Sequence, residues 1–271
     1  MSELNNAPQR NWIKDKNNDV EWINQKEFTL FISESFHYRN SKNFLKVFPK
    51  YENDIHNLFQ TPFLDLKPTH ESEKGKFYRK ISTIDINKSL RARLKRISEI
   101  HLEVSFMNHY FQDNDNKTKG FDFAYYDEKH NAGLLYEYCF GERSVTNGEE
   151  LWSEFLNQQE KYSYLSSHVL ENSNLGYYNQ GENLSPTVIG EIQFANWALA
   201  YYDLFKVLHL DNLTGIDLLI YITPTGNLEK SLSSNIVTFK NMKSIIESYS
   251  SVLKVPIWLI GIDIVEESFN F

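Results

Sequence analysis

Thr187-Val188-Ile189-Gly190-Glu191-Ile192-Gln193-Phe194-Ala195-Asn196-Trp197, running on to Leu208, is the stretch whose reading decides the fold. β-branched and apolar residues dominate Thr187 to Phe194, which predicts a strand. Alternation along a strand sets Glu191 and Gln193 on one face, with Val188 and Ile192 on the other. Asn196 then has the chemistry of a helix N-cap. Trp197, Tyr201, Leu204, Phe205 and Leu208 follow at helical spacing. A strand ending in two polar groups and turning straight into a helix is a place where chemistry can be built. The same pair would also suit the wet face of an edge strand.

Working outward, strand follows helix again. Gly215–Ile222 and Val255–Ile262 predict buried strands, and Val237–Leu253 predicts the helix between them. Strand–helix–strand–helix–strand implies a partly parallel sheet with helices packed on it. Upstream, Phe121–Tyr126 and Gly133–Phe140 predict two strands, conceivable as a hairpin, and Glu149–Leu170 a helix. Asn172–Ser185 is a polar loop. Asp19–Phe36 and Lys42–Phe59 predict helices, the second broken or restarted at Pro49, and Asn87–Tyr110 predicts the longest helix. The expectation is an α/β (α+β) chain. Residues 1–120 form a mostly helical elaboration packed on a core of residues 121–271, in one continuous globular unit.

The chain has 271 residues, enough for one large domain, and a formal net charge of −8. That charge argues only mildly against nucleic acid, because distribution matters more than the sum. Lys74, Lys76, Arg79, Lys80, Lys88, Arg91, Arg93, Lys95 and Arg96 make one basic stretch, opposed within it only by Asp85. It reads either as a phosphate-gripping surface or as a solvated face. No apolar run spans a bilayer and no signal peptide opens the chain, so a cytoplasmic protein without a membrane partner is expected. The single Cys139 excludes an internal disulfide and a cysteine-based zinc site. P-loop, dinucleotide, His-Glu-x-x-His and nucleophile-elbow patterns are absent.

Glu191-Ile192-Gln193-Phe194 followed by a helix resembles the second half of the PD-(D/E)xK nuclease motif, with Gln in place of Lys. That variant is similar to type II restriction endonucleases of the BglII and BstYI kind. The similarity extends over about residues 180–262. It implies a mixed central sheet flanked by helices, and Mg²⁺-dependent hydrolysis of double-stranded DNA at a short palindrome, with a central GATC suggested. It also implies a homodimer and a cognate DNA methyltransferase as genetic partner. A non-catalytic DNA-binding or interaction module that keeps the nuclease core is the alternative, and a structure-specific repair nuclease a third.

The resemblance assigns Glu191 to metal and Gln193 to orienting water, since a neutral amide is no general base. The first acid is expected at Glu182, nine residues upstream, with Glu171 in reserve. A helical acid near the metal would be Glu160 or Glu154. Carboxylates in such a site hold Mg²⁺, which polarises phosphate and activates water. DNA-contacting positions are Asn196, Lys206 and the Ser233-Ser234-Asn235 loop, where Asn suits adenine, Lys guanine and Ser either. Each also has a plain alternative: a helix cap, a surface lysine and a turn.

Overall fold

The structure, a computed structural model, describes residues 10, 12–107, 110–113, 120–142, 144–158 and 185–265. Its centre is a seven-stranded mixed sheet, in the order β2 (Leu30–Tyr38), β10 (Ile257–Ile264), β9 (Leu218–Pro224), β8 (Val188–Ile192), β7 (Phe121–Tyr125), β5 (His101–Met107), β6 (Tyr110–Asp113). β8, β9 and β10 run parallel, and the remaining neighbours pair antiparallel. The mixed central sheet flanked by helices expected from the sequence is therefore the one observed. A separate three-stranded sheet pairs β1 (Trp12–Ile13), β4 (Lys76–Ile81) and β3 (Pro68–Glu73).

Parallel neighbours need crossovers, and both crossover helices cover one face. The first is α7 (Ala198–Leu213), between β8 and β9; the second is α9 (Phe239–Ser248), which with the short α8 (Gly226–Lys230) joins β9 to β10. Ala200, Leu204, Val207 and Leu210 of α7 and Met242, Ile245 and Ile246 of α9 pack there on Ile189, Leu219, Tyr221 and Leu259. The opposite face buries Val188, Ile192, Ile220, Ile222 and Trp258 against α1 (Val20–Asn24), α2 (Ser41–Val47), α3 (Pro49–Asn57) and α4 (Thr83–Leu94). β8 and β9 are buried throughout, which explains their near-continuous apolar runs. Each such side chain contributes roughly 1.5–3 kcal/mol on burial.

Several local expectations are corrected. Asp19–Phe36 is not helical beyond α1: residues 30–38 form β2, held by its antiparallel pairing with β10. The long helix predicted over Asn87–Tyr110 ends at Leu94, and residues 101–107 are β5, held by pairing with β6 and β7. Gly133–Phe140 is no strand. It belongs to α5 (Glu128–Phe140), which starts where the Asp127 carboxylate accepts a hydrogen bond from His130 N at 2.8 Å. So β7 pairs with β8 and β5, and not in the expected hairpin. α6 (Gly148–Gln158) follows; the rest of the helix expected to Leu170 lies outside the described residues. Pro49 does open a new helix, at the first position of α3, where its missing N–H costs nothing.

Candidate active site

Glu191 closes the polar end of β8. Phe123 stands opposite Gly190, and carrying that register one step on sets Asp122 of β7 beside Glu191. Glu103 of β5 lies between Leu102 and Val104, the partners of Phe123 and Phe121, and so stands on the other side of Asp122. Tyr221 of β9 pairs with Glu191. Three acids and a tyrosine thus make one row across four strands.

Gly190 is what lets the row close. The Phe123 ring crosses the glycine so nearly that a Cβ there would lie 2.0 Å from the ring's Cζ. Beyond β8 the chain turns. Gln193 N donates to the Ile222 carbonyl at 2.9 Å, and the α7 helix begins a few residues on. Asn196 does cap, though one residue before the cap position, its carboxamide oxygen accepting from Ala198 N at 2.9 Å.

α7 returns two charged side chains to Glu191. Lys206 Nζ donates to Glu191 Oε1 at 2.5 Å, to Asp203 Oδ1 at 3.2 Å and to the Gly120 carbonyl at 2.9 Å. Asp203 Oδ2 accepts from Gln193 Nε2 and from the Tyr221 hydroxyl, each at 2.8 Å. Gln193 Oε1 accepts from Ala195 N at 3.0 Å, so both ends of its amide are engaged within the protein. On the other side, Asp122 Oδ2 accepts from Ile192 N at 2.6 Å, and Oδ1 accepts from Arg91 of α4. Arg91 also bonds Glu103 at 2.6 Å.

The electrostatics follow from this crowding. Burial, with the charges of Asp203 and Asp122 beside it, pushes the Glu191 carboxyl well above the usual carboxylate range, against the pull of Lys206. Burial works against the Lys206 charge too, but Glu191 and Asp203 outweigh it and raise its affinity for a proton. Tyr221 is pushed up by burial and then by Asp203, which keeps its hydroxyl a donor. Among the described residues no three histidine, cysteine or acidic side chains form a metal-holding group. The pair Asp122 and Glu191 nevertheless suits Mg²⁺, which commonly takes one or two carboxylates and completes its shell with water and phosphate.

Of the residues singled out in the sequence, Glu191 and Gln193 fall in this cluster. Glu182, Glu171 and Glu160 lie outside the described residues. Glu154 belongs to α6, away from the row. Asn196 and the Ser233–Asn235 loop come together elsewhere: Asn196 bridges to Ile236, Trp197 N donates to the Asn235 carbonyl at 3.0 Å, and both asparagine side chains are exposed. Lys206 does not join them, because its ammonium is taken by Glu191, Asp203 and Gly120. Asp122, Asp203 and Arg91 were missed. The available signals were one acid in the aromatic strand Phe121–Tyr125, an acid on the buried stripe of an apolar helix, and a basic residue at the core side of α4.

A family model described as restriction endonuclease BglII/BglIII matches residues 33–262. Among solved structures the chain is similar to a crystal structure of restriction endonuclease BglII complexed with a DNA 16-mer, at 12% identity over 84% of this chain and 74% of that one, with a TM-score of 0.47. No curated protein matches it by sequence. The family match reaches from β2 to β10 and takes in the whole acid row with α7. The chain therefore belongs to the BglII/BglIII restriction endonuclease family and is a type II site-specific deoxyribonuclease.

Proposed function

We propose that Asp122 and Glu191 are the paired carboxylates of a Mg²⁺-dependent cleavage site acting on double-stranded DNA. The observation that carries this reading is their juxtaposition on neighbouring strands, with Glu191 buried and crowded by negative charge. Asp122 takes the part the sequence assigned to Glu182. These two would hold the ion; when bound, Mg²⁺ supplies charge to the phosphate and an activated water. Lys206 contributes positive charge at the same point. Gln193, Asp203 and Tyr221 hold that ammonium in place through their chain of hydrogen bonds. A first acid removes the ground for preferring a non-catalytic module.

For recognition, Asn196 and the Ser233–Asn235 loop come together, with both asparagines exposed and the serines half-buried, and supply hydrogen-bonding groups suited to base edges. A palindrome containing GATC is the sequence the family resemblance favours. A homodimer would place two sites on its two strands. Leu199, Tyr202 and Phe205 of α7 support it, being apolar and at least 42% exposed on the helix that carries Lys206.

The test is digestion of phage DNA in Mg²⁺, with sequencing of the ends. Discrete fragments sharing GATC are expected. Glu191→Ala and Asp122→Ala should both abolish cleavage yet retain binding of the same duplex in Ca²⁺, because other groups grip phosphates and bases. Near wild-type cutting by either variant removes that residue from the site, and ends without GATC refute the specificity alone.

A further inference from the structure

We infer that Arg91 is a positioning residue of the cleavage site, holding Asp122 opposite Glu191 and screening its charge while no divalent ion is bound. This rests on the reading of Asp122 and Glu191 as the paired carboxylates. Neither motif residue supplies this contact; it comes from α4, on the opposite face of the sheet from α7. One guanidinium nitrogen bonds Asp122 and another bonds Glu103 at 2.6 Å, so the planar fork is anchored at both tips. With Ile192 N on its other oxygen, Asp122 has both oxygens fixed.

Two costs mark the arrangement as set by the carboxylates. Arg91 Nε is buried with no hydrogen-bond partner. Glu103, the anchor, has φ of 51°, a left-handed conformation within β5 where a non-glycine residue is strained. The site then has two matched halves. Lys206 of α7 neutralises Glu191, and Arg91 of α4 neutralises Asp122. Without its cation, each half presents negative charge to an approaching phosphate.

Fluorescence anisotropy on a duplex carrying the mapped recognition sequence tests this, in EDTA and again in Ca²⁺. Arg91→Met should weaken metal-free binding about tenfold, the scale of one unit charge roughly 10 Å from a phosphate at an effective dielectric of about 20. Ca²⁺ should restore most of that loss, and Arg91→Lys, which keeps the charge but loses the fork, should bind between Arg91→Met and the wild type. Asp122→Asn, which removes a negative charge at the same point, should shift metal-free binding about as far in the opposite direction. Equal weakening with and without Ca²⁺ overturns the inference in favour of a purely structural role, and unchanged binding overturns it outright. Should Arg91→Met not fold, Arg91→Gln, which keeps a polar side chain and removes the charge, reads the same effect, and its failure to weaken metal-free binding is equally decisive. If Asp122→Asn cleaves at the wild-type rate, the site reading itself falls. If Asp122→Asn is inactive while Arg91→Met binds normally in EDTA, only the Arg91 inference does.

Discussion

Lys206 shows how position along a chain and position in space part company. By sequence it is one more lysine on a helix. In the fold its ammonium joins Glu191 to Asp203 and is only 15% exposed. Removing it would leave two buried carboxylates without their cation, a larger loss than that of a surface charge. Lys206→Ala should lower kcat by about a hundredfold or more, as loss of one charge-stabilising group does, with the sequence at the cut ends unchanged. A variant that cuts at normal rate but tolerates substitution of one guanine would make Lys206 a base reader. Glu191 was legible because a strand brings its own alternation. Asp122 was not, because the motif sets its first acid just upstream of Glu191, whereas a neighbouring strand can come from anywhere in the chain. Nothing local to Phe121–Tyr125 says that it lies beside β8; only the pairing does.

Elements transmit strain to the site, and Gly190 is where that can be measured. Gly190→Ala would press a methyl into the Phe123 ring, which is fully buried. The expected loss is about 1–3 kcal/mol in urea unfolding, with cleavage impaired as well, since Phe123 is next to Asp122. Unchanged stability would mean that β7 yields freely, and the register argument would weaken with it. A second junction is sensitive to acid. Asp19, just before α1, accepts from Arg79 of β4 and from His70 of β3. Burial pushes its carboxyl up, but Arg79 and His70 outweigh this and leave it below the usual range. A carboxyl lowered on folding contributes stability above its unfolded pKa and loses it as pH falls through the folded one. Urea midpoints should therefore drop between about pH 5 and pH 2, and less steeply in Asp19→Asn; parallel slopes would show that the pair carries no such linkage. The elements that were misread share a cause. Leu30–Tyr38 and His101–Met107 are short apolar runs whose period is ambiguous, and their state is settled by β10 and by β6 and β7 beyond the local sequence. Within residues 187–264 the order of strands and long helices is legible, with ends a few residues off and the short α8 unforeseen, because the elements there are regular and separated by clear turns.

At the scale of the molecule, the basic stretch Lys74–Arg96 divides between inward and outward cations. Arg79 serves Asp19, Lys80 serves Glu71, Arg91 serves Asp122, and Arg93 donates to the carbonyls of Leu58, Thr61 and Pro62. Lys74, Lys76, Lys88, Lys95 and Arg96 remain exposed, a limited positive surface on a chain of net charge −8. A single copy would thus meet DNA with modest electrostatic attraction, and a second copy would double the cations available to one duplex. α7 has the surface for such pairing. Its inner stripe is spent on the core, while Leu199, Tyr202 and Phe205 face solvent, Phe205 at 71% exposure. A patch with little charge of its own is self-complementary, which is what a two-fold interface requires. Tyr202→Glu with Phe205→Glu should halve the mass found by analytical ultracentrifugation, since charging an aromatic anchor typically costs an interface about 2 kcal/mol or more. The separated protomers should then nick supercoiled plasmid, because each holds one acid row and reaches one strand. A wild-type protein that sediments as a monomer would sink the dimer. A variant that stays dimeric and still makes double-strand breaks would move the interface off α7 while leaving the cleavage site where Asp122 and Glu191 put it.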